Sequence, residues 1–294
     1  MTNPRAVVVH RRTQYDDVIA RHGTRGQAEF YLAMRQQDLS DVEQRHAQTQ
    51  TALAAVGSAI LSEWSRAVVE RAELSRFGFR PEDVIVVVGQ DGLVANLAKY
   101  IRDQAVIGID PLPGSNAGVL VPHTAAAAPS LLAAVAAGSA QIVRRTMVRA
   151  ETDDGQSLTA LNEIYVGQPT HQSARYRLDV GGQTERQSSS GVIVGTGTGS
   201  TGWCLSLQRA QAPQLALPKP VDRTVSWFVR EAWPFPSTGA TLTSGILHDD
   251  VLRMRIESDS LVAFGDGIED DRLTLGFGQR LTIRVADRTL NTVA

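Results

Sequence analysis

Five consecutive β-branched residues, Val84-Ile85-Val86-Val87-Val88, constrain this chain more than any other stretch. A strand without polar alternation is buried on both faces, which calls for a parallel sheet covered by helices. Gly89-Gln90-Asp91-Gly92 follows at once. Leu93, Leu97, Tyr100 and Ile101 then recur at helical spacing before a short apolar run from Val106 to Ile109. Strand, turn, helix and strand make a βαβ unit, whose crossover is right-handed. With Val7 to Val9 as an earlier buried strand, residues 1–122 read as a doubly wound α/β domain.

Between those strands, Ser40-Asp41-Val42-Glu43 has capping-box spacing. Leu53, Val56, Ile60, Trp64 and Val68 continue at steps of three and four, so one long amphipathic helix is expected, ended by Gly78 and Pro81. After Pro122 the pattern changes. A short alanine-rich helix over 130–137 closes at Gly138, and alternating strands follow at 141–148, 161–166, 174–180 and 192–194. Four more alternate at 252–256, 260–264, 273–275 and 281–285. Asp153-Asp154-Gly155 and Gly181-Gly182 are hairpin signals. Residues 123–279 therefore read as a β-rich, sandwich-like domain.

Composition excludes several function classes. With 294 residues, 43% hydrophobic and 20% charged, the chain is globular rather than disordered. A net charge of −2 gives no electrostatic footprint for nucleic acid. The longest apolar tract, Ala125 to Ala137, is too short to span a bilayer. A single cysteine, Cys204, rules out an internal disulfide, which fits a cytoplasmic setting, and its neighbours Trp203 and Leu205 mark it as a buried small hydrophobe. The six histidines have no metal-ligand spacing, so no dedicated metal site is expected.

Three segments carry candidate chemistry. Gly89, Gln90 and Gly92 lie where ligands bind in an open parallel sheet, at a strand's carboxyl end. Glycines there let backbone N–H groups approach phosphates. Asp91 between them is placed to accept a proton from an attacking hydroxyl, or simply to cap the next helix. Gly195-Thr196-Gly197-Thr198-Gly199-Ser200-Thr201-Gly202 alternates glycine with hydroxyls ahead of a helix starting at Trp203, the makings of a phosphate cradle. It is neither a Walker A loop nor a dinucleotide fingerprint. Asn162 and Glu163 put two polar side chains inside an otherwise apolar strand. Asn162 can read donor and acceptor edges of a base, and Glu163 can hold ribose hydroxyls.

In this order, the three segments resemble the NAD kinase family, within the superfamily that also holds diacylglycerol and sphingoid lipid kinases. The family's Gly-Gly-Asp-Gly-Thr turn reads Gly89-Gln90-Asp91-Gly92-Leu93 here. Its Asn-Glu pair is Asn162-Glu163, and its Thr-Gly-Ser-Thr-Ala-Tyr stretch is Thr198-Gly199-Ser200-Thr201-Gly202-Trp203. Ile107-Gly108-Ile109-Asp110 and Phe264-Gly265-Asp266-Gly267 sit where a Gly-Ile-Asn segment and a late Asp-Gly are usual. The form is most similar to the mitochondrial-type members. The resemblance covers residues 84–285. It implies an α/β domain followed by a β-rich one, with the site in the cleft between them and a final strand, about 280–294, returning to the first domain.

It also implies roles. Asp91 would activate the adenosine-ribose 2′-hydroxyl of NAD, while Asn162, Glu163, Thr201, Gly202 and Trp203 would hold the acceptor. Gly89, Gln90, Gly92, Gly197, Thr198, Gly199 and Ser200 would face the phosphates of ATP, which brings Mg²⁺ with it. The implied partners are a small nucleotide substrate and further copies of the chain, with neither nucleic acid nor membrane. The departures are Gln90 for glycine, Leu93 for threonine, Asp110 for asparagine and Ser190 for aspartate. They keep open a kinase acting on another nucleoside or small-metabolite hydroxyl, and a nucleotide-binding sensor without turnover.

Overall fold

In the computed structural model, which describes residues 4–115 and 118–294, the Val84–Val88 run is a strand with every residue buried. Each such side chain withdrawn from water contributes about 1.5–3 kcal/mol. The chain divides into two units, Met1–Val143 with Asn291–Ala294, and Arg144–Leu290.

The first unit runs β1 (Arg5–His10), α1 (Gln14–His22), α2 (Arg25–Ala33), α3 (Leu39–Ala59), β2 (Ser65–Glu70), β3 (Val84–Val88), α4 (Asp91–Ala98), β4 (Ala105–Ile109) and α5 (Ala128–Ala136). The strands pair in parallel in the order β2-β1-β3-β4, the doubly wound order with its reversal between β1 and β3. Side chains alternate between the faces. Ala6, Val8, Val84, Val86 and Ile107 pack with Ala52 and Val56 of α3 and Ala128 and Leu132 of α5. That packing holds α5 in the first unit, so the boundary falls after Val143 instead of residue 122. At the chain's end Asn291 and Thr292 pair in parallel with Ala105 and Val106, and the Ala294 N–H donates to the Gln141 carbonyl at 2.9 Å.

Two local readings need correction here. The long helix stops at Ala59, and Ser65–Glu70 is the edge strand β2, with Val69 inward and Val68 59% exposed. Trp64 and Val68 happen to continue the helical spacing, but strand pairing to β1 wins. The helix start is capped by Asp38, whose side chain accepts the Ser40 N–H at 2.8 Å, so the Ser40–Glu43 box is unused.

The second unit is a sandwich. It comprises β5 (Ile142–Thr152), β6 (Ser157–Ala160), β7 (Glu163–Gly167), β8 (Ala174–Val180), β9 (Gln183–Ser189), β10 (Val192–Gly195) and α6 (Trp203–Gln211). Then come β11 (Val225–Val229), β12 (Ser244–Leu247), β13 (Leu252–Ile256), β14 (Ser260–Gly265), β15 (Ile268–Gly276) and β16 (Arg280–Val293). One sheet carries β16-β13-β8-β9 with the β5–β6 hairpin; the other runs β12-β11-β10-β7-β14-β15. Tyr176, Leu178, Met254 and Ile283 of the first sheet meet Ile164, Val166, Val194 and Trp227 of the second. The outer face of the second sheet, through Tyr165, Ile193 and Phe228, is covered by Cys204 and Leu207 of α6. Gly181 and Gly182, at φ 58° and 74°, make the two-residue turn between β8 and β9. Among the described residues no helix is long and apolar enough to cross a membrane.

Candidate functional site

The turn after β3 builds one candidate centre in the first unit. Gly89 ends the strand, with its N–H donating to the Ile109 carbonyl at 3.0 Å. Gln90 is the exposed N-cap residue of α4 and offers no side-chain cap. Asp91 is the first helical residue, and it caps nothing. Its carboxylate turns instead to the segment after β4. Oδ1 accepts from the N–H groups of Leu120 (2.8 Å) and Val121 (3.2 Å), and Oδ2 from Val119 (3.0 Å). Three backbone donors fix this carboxylate in place, and Oδ2 keeps room for a further donor. The segment passes so close over Gly108 that a Cβ there would lie 2.8 Å from the Val121 Cα. Leu93, at the family's threonine position, is buried against Gly89.

The second unit builds the other centre around a different logic. Asn162 lies in the bend before β7 and Glu163 is the strand's first residue, so the pair sits at the strand's start instead of inside it. The bend is clamped from both sides. The Asp266 carboxylate accepts the N–H groups of Leu161 (3.0 Å) and Asn162 (2.6 Å), and the Asp266 N–H donates to the Glu163 carbonyl at 3.0 Å. Asp266 and Gly267 adopt φ 55° and 68°, the primed turn that joins β14 to β15.

From the other side comes the glycine-hydroxyl loop. Fully buried Thr196 donates its N–H to the Asn162 carbonyl at 2.8 Å and its hydroxyl to the Leu161 carbonyl at 2.5 Å. Its Oγ1 accepts in turn from the N–H of Thr198 at 3.1 Å. Ser200 and Thr201 donate their hydroxyls back to the carbonyls of Thr196 (3.1 Å) and Thr198 (3.2 Å). The backbone at Gly197 touches the Lys219 carbonyl, and that at Gly199 touches the Asn162 carbonyl, so no side chain fits at either. Gly202 breaks the chain direction at φ −118°, ψ −116° before α6 begins.

Two polar groups stand out against this internal bonding. Thr198 Oγ1 is buried without a partner among the described residues. The Glu163 carboxyl, next to Gly199, accepts no hydrogen bond among them either, and burial, with the Asp266 carboxylate second, pushes it up to about 7. Near neutral pH a substantial share of Glu163 is thus protonated and able to donate as well as accept. Trp203 is half-buried, stacked on Tyr165 at 5.9 Å between centroids, with the Arg230 guanidinium 5.3 Å over its ring. Burial pushes the Cys204 thiol up to about 12, leaving no thiolate nucleophile.

The structure therefore brings Asn162, Glu163, Gly197, Thr198, Gly199, Ser200, Thr201, Gly202 and Trp203 into one cluster of the second unit, while Gly89, Gln90, Asp91 and Gly92 belong to the first. Sequence reasoning gave no role to Thr196 or Asp266, which hold that cluster together. The positive-φ Asp-Gly turn was the available signal for Asp266.

No protein-family model matches the chain. Curated NAD kinases do. That of Rickettsia felis is 33% identical over 131 residues, covering 42% of this chain and 49% of the relative. That of Rickettsia africae is 32% identical over 142 residues, covering 46% and 52%. The chain spans about half the length of the curated relatives it matches. Among solved structures, yeast NADH kinase complexed with NADH matches over 99% of this chain and 84% of its own, with a TM-score of 0.65 and 16% identity, a likeness of fold. The chain is thus similar in sequence to NAD kinases over nearly half its length, and similar in fold to a NADH kinase along nearly all of it.

Proposed function

We propose that this chain is an ATP-dependent phosphotransferase that phosphorylates the adenosine-ribose 2′-hydroxyl of NAD or NADH, giving NADP or NADPH. The observation that carries the reading is the pair of unsatisfied polar groups in the second unit. Among the described residues Thr198 Oγ1 is buried without a partner and the partly buried Glu163 carboxyl beside it accepts no hydrogen bond, next to a loop whose other hydroxyls are bonded. A buried polar group left unpaired costs about 1–3 kcal/mol, so a polar ligand that satisfies it is favoured. Glu163, partly protonated near neutrality, suits ribose hydroxyls, which both donate and accept. Asn162 would read the adenine edge, and Thr201, Gly202 and Trp203 would border the acceptor.

Asp91 would take the proton from the attacking hydroxyl through Oδ2, which among the described residues accepts the Val119 N–H. Holding the carboxylate on three backbone donors orients it before substrate arrives. Gly89, Gln90 and Gly92, with Gly197 to Ser200, would face the ATP phosphates. Among the described residues no three His, Cys, Asp or Glu side chains gather to hold a metal. Magnesium would ride on the ATP phosphates, where it neutralises developing charge and needs few protein ligands. We further read the chain as a cytoplasmic homo-oligomer of mitochondrial-type form.

A second reading, a kinase for a different nucleoside or small-metabolite hydroxyl, is favoured by Trp203. Tyr165 and Arg230 already lie against its ring. The discriminating experiment is product identification. Phosphorus NMR of the reaction with ATP, Mg²⁺ and NAD should show a new monoester on the 2′ position. A monoester elsewhere, or turnover only with another acceptor, moves the assignment to the second reading.

A further inference from the structure

On the outer face of the β16-β13-β8-β9 sheet, strand register sets four arginines in one row. Arg186 of β9 pairs with Arg177 of β8, Arg177 with Arg255 of β13, and Arg255 with Arg280 of β16. All four are exposed, because Tyr176, Leu178, Met254, Ile256 and Leu281 take the inward positions on either side. Neighbouring strands lie about 4.8 Å apart, and like charges directly opposite destabilise a sheet. Arg186 is neutralised by Glu257. Arg177, Arg255 and Arg280 have no carboxylate within ion-pair distance among the described residues.

The nearby acids do not offset them. Glu151 is held by Arg149, Asp153 accepts the backbone N–H of Arg280, and Asp179 stands opposite Arg253 in the register. Arg177, Arg255 and Arg280 line a groove of about 570 Å³. In a chain of net charge −2 such a concentration of unpaired guanidinium groups is local. The glycine-hydroxyl loop and α6 lie on the other sheet, with the sandwich core in between.

We propose that this face is a binding site for an anion bearing several phosphate groups in a row, separate from the glycine-hydroxyl loop. Guanidinium forks suit phosphate oxygens bidentately, and an extended oligophosphate would neutralise successive arginines across the strands. The phosphate chain comes either free or on a nucleotide, and the bound anion removes the repulsion that the row otherwise stores.

The test is calorimetric titration of the full chain with tripolyphosphate and, separately, with ATP, on wild type and on Arg255→Thr and Arg177→Thr. These are exposed strand positions that accept threonine. Expected is saturable tripolyphosphate binding that weakens about 10-fold in each variant and falls steeply with added salt. The anion-free thermal midpoint of Arg255→Thr should equal or exceed that of wild type, because repulsion is relieved. Tighter binding of ATP than of tripolyphosphate at the Arg255-dependent site would assign the nucleotide source, and equal binding the bare phosphate chain. Tripolyphosphate affinity unchanged in both variants, no saturable binding, or a clear loss of anion-free stability in Arg255→Thr would overturn the proposal.

Discussion

The two glycine-rich turns look alike in the sequence and are built on different physics. At Gly89–Gly92 the important group is a side chain. The Asp91 carboxylate reaches across to three backbone donors of residues 119–121, and the space around a Cβ at Gly92 is open. At Gly195–Gly202 the important group is the backbone itself. Gly197 and Gly199 lie directly against the carbonyls of Lys219 and Asn162, and the hydroxyls between them close the loop. Glycine in the second turn answers a close approach, whereas Gly92 answers no steric demand of the protein alone. Room left at Gly92 is room a ligand would use.

The sharpest way to break this comparison is Asp91→Asn. If Asp91 is the base, turnover should fall about 10²–10⁴-fold. The amide also places an NH₂ among backbone donors, so a lowered thermal midpoint is expected by scanning calorimetry. A lost midpoint with unchanged turnover would make Asp91 a loop anchor alone. Next in size is the contrast between glycines. Gly197→Ala should destabilise by about 1–3 kcal/mol through overpacking against Lys219, measured by urea unfolding. Gly92→Ala should leave stability equal or raised by about 0.4–1 kcal/mol, because alanine suits the first helical turn. Equal losses at the two positions would erase the distinction drawn here.

Comparable in size is the pH effect at Glu163. Its folded value, near 7, is raised above the ordinary 4.5, so the native state binds the extra proton. The stability this contributes is complete below about pH 4.5 and is lost as pH rises through 7. Glu163→Gln removes that slope. Relative to the variant, wild type should lose on the order of 2 kcal/mol between pH 5 and pH 8, read from unfolding midpoints. Parallel pH profiles would show that Glu163 is not buried as described.

The same contrast explains what the sequence made legible. The β3 run and the α4 spacing stand out because one strand buried on both faces leaves an unbroken apolar signature, and the helix after it is buried from Leu93 to Ala98. The glycine-hydroxyl loop stood out as a motif, though its glycines turned out to serve close packing as well. Other elements hid for physical reasons. β2 continued the spacing of α3, and β9 reads Gln-Thr-Glu-Arg-Gln-Ser-Ser, a strand only because β8 pairs with it. The clamp on Asn162 comes from Asp266, 104 residues away, and no local pattern reports a bond of that range. The burial that raises Glu163 is likewise a property of the folded cluster and not of its neighbours in sequence.

The most direct test of the central claim is steady-state turnover of the pure protein with ATP and Mg²⁺, offering NAD and NADH separately and detecting NADP or NADPH. Product from at least one acceptor, lost in Asp91→Asn, is the result expected. No product from either, with ATP and NAD still binding by calorimetry, would contradict the proposal that this chain is a kinase of NAD or NADH.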